Sequence, residues 1–137
     1  PESPVAVEPA PAIVALPHIA VSEIKNQLVI TMVDVGQGDG FVIRMPSGKI
    51  YLVDAGGHKY GPMITFLKNS RITALEAIVM THPHQDHIGG MTTILNEFTV
   101  KRVYDSGYPH TSGNYQDVLM LIKEKNVEYV VSKAGDV

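Results

Sequence analysis

Thr81-His-Pro-His-Gln-Asp-His-Ile-Gly-Gly90 leaves the apolar, β-prone run Ala77-Ile-Val-Met80 and enters a segment in which Ile88, Met91, Leu95 and Phe98 recur at helical spacing. A buried strand feeding a polar loop and then a helix is the start of an open α/β sheet, and ligands in such sheets gather beyond the carboxyl ends of the strands. Four metal donors, His82, His84, Asp86 and His87, fall within six residues at that position. Imidazole and carboxylate suit Zn²⁺, Mn²⁺ or iron. The chain has no cysteine, so disulfides and thiolate metal sites are excluded.

The spacing has a mechanical reading. Pro83 pushes His82 out of the helical region into an extended conformation, so His82 and His84 converge on one metal through a bent loop. Asp86 and His87, at the start of the helix, face another direction and serve a second metal. Two metals about 3.5–4 Å apart can hold a bridging hydroxide and clamp an attacked phosphoryl or acyl group. Gly89 and Gly90 allow the first helical turn to approach the sheet and a ligand closely, and the free N–H groups of that turn favour an anionic substrate. A lone histidine is usually a polar surface residue, and Asp86 alone would serve as a helix N-cap. Three histidines and an aspartate packed at one strand-to-helix junction are poorly explained that way.

Working outward, Leu28-Val-Ile-Thr-Met-Val33 reads as a strand buried on both faces, and Phe41–Met45 and Ile50–Val53 as two further strands joined by the turn Pro46-Ser-Gly-Lys49. Gly61-Pro62 opens a helix whose inner residues are Met63, Ile64, Phe66 and Leu67. A strand follows over Val100–Tyr104, then a helix over Tyr115–Lys125 capped by Asn114, with Val118, Leu119 and Ile122 inward. Val127–Val131 is the last strand. The predicted order is β-β-β-α-β-α-β-α-β, antiparallel at first and then built of βαβ units. Residues 1–24 hold five of the nine prolines in their first 17 positions and read as a Pro/Ala-rich linker or arm; the domain is expected over 25–137. Starting at Pro1 and stopping just after a strand, the chain is expected to be a piece of something larger.

The 137 residues carry a net charge of −3, 45% hydrophobic and 18% charged residues, which suits one domain with a real core. No basic tract points to a non-specific grip on nucleic-acid phosphates. No apolar run approaches the roughly 20 residues that span a bilayer, and no basic-then-apolar leader is present.

The His82-Pro-His84-Gln-Asp86-His87 segment resembles the His-x-His-x-Asp-His signature of the metallo-β-lactamase superfamily. Asp34-Val-Gly-Gln-Gly-Asp39, Leu52-Val-Asp-Ala-Gly56, Lys101-Arg-Val-Tyr-Asp-Ser-Gly107, the Tyr115-Gln-Asp helix and Ala134-Gly-Asp136 resemble its ComEC-like branch, that of the DNA-internalisation competence proteins. The resemblance covers about residues 28–137. It implies an α/β fold, the first half of an αββα sandwich, with a mixed sheet and helices on one side. By position it implies that His82 and His84 bind a first metal and Asp86 and His87 a second, Zn or Mn, with two metals in the intact protein. Asp86 would also orient the metal-bound water. Asp54 would brace the ligand loop from behind, unless it only caps its own turn. Asp34, Gln37 and Asp39 would line the same face, unless they merely form a Gly-rich hairpin turn. His110, in a Gly/Pro-rich loop, would face substrate rather than metal. His18 and His58 read as solvent-exposed.

The implied activity is hydrolysis, with DNA or another phosphodiester as substrate, in an extracytoplasmic or secreted setting by analogy. The family's second half, which supplies further ligands, is missing from this chain. Each metal would keep only two protein ligands where zinc normally has three or four, and one sheet face would be left apolar. A catalytically silent fragment, or an assembly module completed by another copy, is the competing reading.

Overall fold

The computed structural model describes residues 26–59 and 61–136; the Pro/Ala-rich segment and His18 lie outside them. Branched and aromatic residues place strands β1 (Val29–Met32), β2 (Phe41–Arg44) and β3 (Ile50–Val53) in an antiparallel meander. Helix α1 (Pro62–Asn69) starts with proline in its first turn, as its missing N–H permits. A short strand β4 (Ala74–Leu75) precedes β5 (Ala77–Met80). Two short helices follow, α2 (Gln85–Ile88) and α3 (Met91–Glu97), then β6 (Thr99–Val100), β7 (Arg102–Asp105), α4 (Gly113–Glu124) and β8 (Glu128–Val131).

The six-stranded sheet runs β1-β2-β3-β5-β7-β8, and β3, β5, β7 and β8 are parallel. The antiparallel opening and the βαβ remainder are as the sequence predicts. A separate parallel pair, β4 with β6, was not anticipated: the predicted strand Val100–Tyr104 divides at Lys101, whose N–H turns to the Leu75 carbonyl.

The register shows where the core sits. The row Val42, Leu52, Ile78 and Val103 crosses the sheet and is almost wholly buried. Met63, Ile64 and Leu67 of α1, Ile94 and Leu95 of α3, and Val118 and Ile122 of α4 join the same cluster. Each such side chain contributes about 1.5–3 kcal/mol by leaving water. The next row, Met32, Phe41, Val53, Val79, Tyr104 and Val130, points the other way and stays at least partly exposed. The helices therefore cover one side of a mixed sheet.

Three expectations need correction. The Leu28–Val33 run is not buried on both faces: among the described residues β1 is an edge strand, and Leu28, Ile30 and Met32 are 55%, 61% and 74% exposed. A continuous apolar run cannot distinguish a central strand from an edge strand whose outer face is also apolar. The helix across Ile88 and Phe98 is two helices broken at Gly89-Gly90. Ser112, not Asn114, caps α4: its side chain accepts from the Tyr115 N–H, and the Asn114 amide donates instead to the Ile88 carbonyl.

Candidate metal centre

The loop after β5 carries the histidine cluster past the carboxyl edge of the sheet. His84 is extended (φ −75°, ψ 150°) and is the residue at which α2 begins; its carbonyl accepts from the His87 and Ile88 N–H groups, both at 3.0 Å. Asp86 lies inside α2 and is not its cap, so the capping alternative does not hold. The His82 and His84 rings meet edge-on at 4.7 Å, and the His82 and His87 ring centroids are 3.9 Å apart. An Asp86 carboxylate oxygen lies 3.7 Å from His87 Nε2. The four sequence-predicted donors are thus gathered at one place. His87 is buried, His82 and Asp86 are half-buried, and His84 is exposed.

Behind the loop stands Asp54, fully buried at the end of β3 with φ 53°, a left-handed conformation that a side-chain-bearing residue keeps only when its surroundings demand it. Its oxygens accept from the Thr81 N–H at 2.9 Å, the Thr81 hydroxyl at 2.5 Å and His87 Nδ1 at 2.8 Å. These donors lie 27 and 33 residues away, so Asp54 does not cap its own turn. A carboxylate taken up by three donors can only accept, which makes His87 Nδ1 carry its hydrogen and leaves the Nε2 lone pair for a cation.

Backbone packs on backbone around this loop. A Cβ on Gly89 would meet the Gly57 carbonyl at 2.3 Å, and one on Gly38 would fall 1.7 Å from the Asp86 carbonyl oxygen. The Gln85 amide donates to the Gly57 carbonyl, and the Ala55 N–H donates to that of His87. The glycine pair lets the ligand helix approach the loop after β3, as its sequence implied.

The β1–β2 loop sits against the same place. Asp39 is exposed, with an oxygen 3.7 Å from His87 Nδ1. Asp34 caps its own turn through the Gly36 N–H, and Gln37 is exposed; neither is held toward the cluster by a side-chain hydrogen bond among the described residues. Asp39, Asp54 and His87 bring donor atoms within 4.8 Å of one another, a candidate cation site. That trio surrounds Nδ1, whose hydrogen Asp54 already takes. The chemistry therefore favours the Nε2 side, where an Asp86 oxygen lies 3.7 Å away.

His110 reaches the cluster from the loop after β7: its ring centroid is 5.5 Å from that of His84, and its Nδ1 accepts from Ser112. His58 is exposed, as expected. Thr81 was overlooked by sequence reasoning; its one signal was its place between the strand and the first histidine. Asp105 was also overlooked as a buried hub. A groove of about 580 Å³, lined by Gln85, Asn96, Asn114 and Asp117 among others, includes none of the four clustered donors. Three imidazoles and a carboxylate, with at least one Nε2 left free, fit a divalent metal.

Residues 33–132 match the metallo-beta-lactamase superfamily, and the chain belongs to it. It is a family of metal-dependent hydrolases. Among the relatives, ComE operon protein 3 of Bacillus subtilis (strain 168) is 32% identical over 128 residues, covering 79% of this chain and 16% of that protein. Hydroxyacylglutathione hydrolase of Salmonella arizonae (strain ATCC BAA-731 / CDC346-86 / RSK2980) is 31% identical over 87 residues, 59% of this chain and 34% of the other. Among solved structures, the BLEG-1 B3 metallo-beta-lactamase superposes with a TM-score of 0.47 at 29% identity, covering 56% of this chain and 36% of that one. The chain spans only about a sixth and a third of the two curated relatives.

Proposed function

We propose that these residues carry the first half of a two-metal hydrolase centre, and that the protein containing them cleaves phosphodiesters, with DNA as the favoured substrate. The observation that carries the reading is the gathering of His82, His84, Asp86 and His87 at the carboxyl edge of the sheet, with Asp54 fixing His87 from behind. In this reading His82 and His84 hold one metal and Asp86 and His87 the other. When bound, zinc or manganese supplies a water acidic enough to attack at neutral pH and positive charge for the phosphoryl oxygens. Asp86 would orient the attacking water. Asp54 holds the loop in shape. Asp39 and His110 face the substrate, with Asp34 and Gln37 on the same β1–β2 loop as Asp39. The ComEC-like motifs of the sequence support the DNA context, and the likeness to ComE operon protein 3 agrees with that branch.

The test is hydrolysis of bis(p-nitrophenyl) phosphate and of single-stranded DNA with Mn²⁺ or Zn²⁺ added. A His84→Ala, Asp86→Ala double variant is expected to lose at least about 10³-fold in rate, the scale on which groups acting as one unit fail. Equal rates in variant and wild type sink the enzymatic reading.

A second reading has its own observation. The partly exposed row Met32, Phe41, Val53 and Val79, together with only two donors per metal, suits a module that is silent until another part of the protein or a second copy covers it. Activity of the 137-residue chain alone that matches the full-length protein's would exclude it.

A further inference from the structure

Thr81 stands between Asp54 and the first histidine. Its hydroxyl has a single proton, and that proton goes to Asp54 Oδ2 at 2.5 Å. The same oxygen atom lies 3.1 Å from His82 Nδ1. With its hydrogen spent on Asp54, Thr81 Oγ1 can only accept from His82, so His82 Nδ1 carries the hydrogen and Nε2 keeps its lone pair. His87 donates its own Nδ1 hydrogen to the same Asp54 oxygen at 2.8 Å. One buried carboxylate therefore sets both rings in the same tautomer, one directly and one through a hydroxyl.

We infer that Thr81 is a positioning residue: it relays Asp54 to His82 and so ties the two halves of the metal centre to a single carboxylate. The inference rests on the proposed metal-binding role of His82 and His87 for its consequence, though not for the tautomers themselves. Under the assignment above, the two rings belong to different metals. Removing the Thr81 hydroxyl releases His82 alone, whereas removing Asp54 releases both. Thr81 is exposed, so its replacement leaves the hydrophobic core untouched.

The experiment uses the full-length protein labelled with ¹⁵N at histidine, in its metal-free form, compared as wild type, Thr81→Val and Thr81→Ser. Long-range proton–nitrogen spectra read which ring nitrogen carries the hydrogen. His82 is expected to be the Nδ1–H tautomer in wild type and Thr81→Ser and a mixture in Thr81→Val, with His87 unchanged in all three. Titration with Zn²⁺ alone then reads the consequence: Thr81→Val weakens one of two binding events by about 10–100-fold, and Thr81→Ser restores it. An unchanged His82 signal in Thr81→Val, or failure of Thr81→Ser to restore it, overturns the relay. A wild-type protein that takes up no Zn²⁺ overturns the metal reading instead, and the tautomer spectra still decide the role of Thr81.

Discussion

Position 89 sets two local effects against each other. Alanine is the better helix former by about 1 kcal/mol. Here, however, a Cβ would meet backbone atoms of Gly57 at 2.3 Å, and backbone has no rotamer by which to yield. Gly89→Ala is therefore expected to destabilise by about 1–3 kcal/mol in urea denaturation and to weaken Zn²⁺ binding by shifting α2. A stabilised variant would show that the contact gives way. The candidate ligand motif was legible because His82, His84, Asp86 and His87 fall within six residues. The partners of Asp54 were not, because 27 to 33 residues separate that carboxylate from Thr81 and His87. Only the fold closes such a distance. Asp39 illustrates the same limit: the motif flagged it, yet its 3.7 Å approach to His87 depends on a loop packed against α2 without side chains.

Single elements are joined at this edge of the sheet by a second carboxylate. Asp105 ends β7, is buried, and accepts from Tyr115 of α4, Tyr129 of β8 and the Gly107 N–H. Asp105→Asn leaves at least one buried hydroxyl poorly matched and should cost about 2 kcal/mol, a fall of roughly 5 °C or more in Tm. Burial first, and then the hydrogen bond to Asp105, raise the ionisation of both tyrosines above the usual 10.0. Above about pH 10 the unfolded chain therefore gives up protons that the folded one keeps, and stability falls as pH rises. Wild type should unfold progressively over that range, and Tyr115→Phe with Tyr129→Phe should flatten the slope; a slope unchanged in the double variant refutes the assignment. Helix α4 was foreseen from its apolar stripe, but its cap was misplaced by two residues. Ser112 and Asn114 are both good caps by type, and only the contact of Asn114 with Ile88 separates them. The β4–β6 pair, two residues a side, is too short to show any periodicity.

For the whole molecule, the sheet order follows from the alternation of strands and helices, whereas the exposure of the second face does not. Apart from Arg44, both faces of β2 and β3 are apolar, so composition says that both want cover and only the structure says which one has it. Uncovered among the described residues, that face should drive association. Residues 26–136 are expected to sediment as concentration-dependent oligomers, and Ile30→Lys with Met32→Lys to shift them toward monomer. A wild-type chain that stays monomeric at tens of micromolar and binds two metals tightly argues against both the open face and the half-site.

Strand β1 adds a different hazard. Among the described residues it is hydrogen-bonded to β2 on one side only, and no charge interrupts Val29–Met32, whereas β8 at the opposite end carries Glu128 held by Arg102. An unguarded ladder of amides accepts further strands one at a time, each about 4.8 Å beyond the last. Material precipitated from concentrated stocks should then diffract at that spacing, a fibrous product distinct from stacking through the open face. A lysine in place of Thr31, on the side turned toward the helices, would test whether one charge is enough to end the growth.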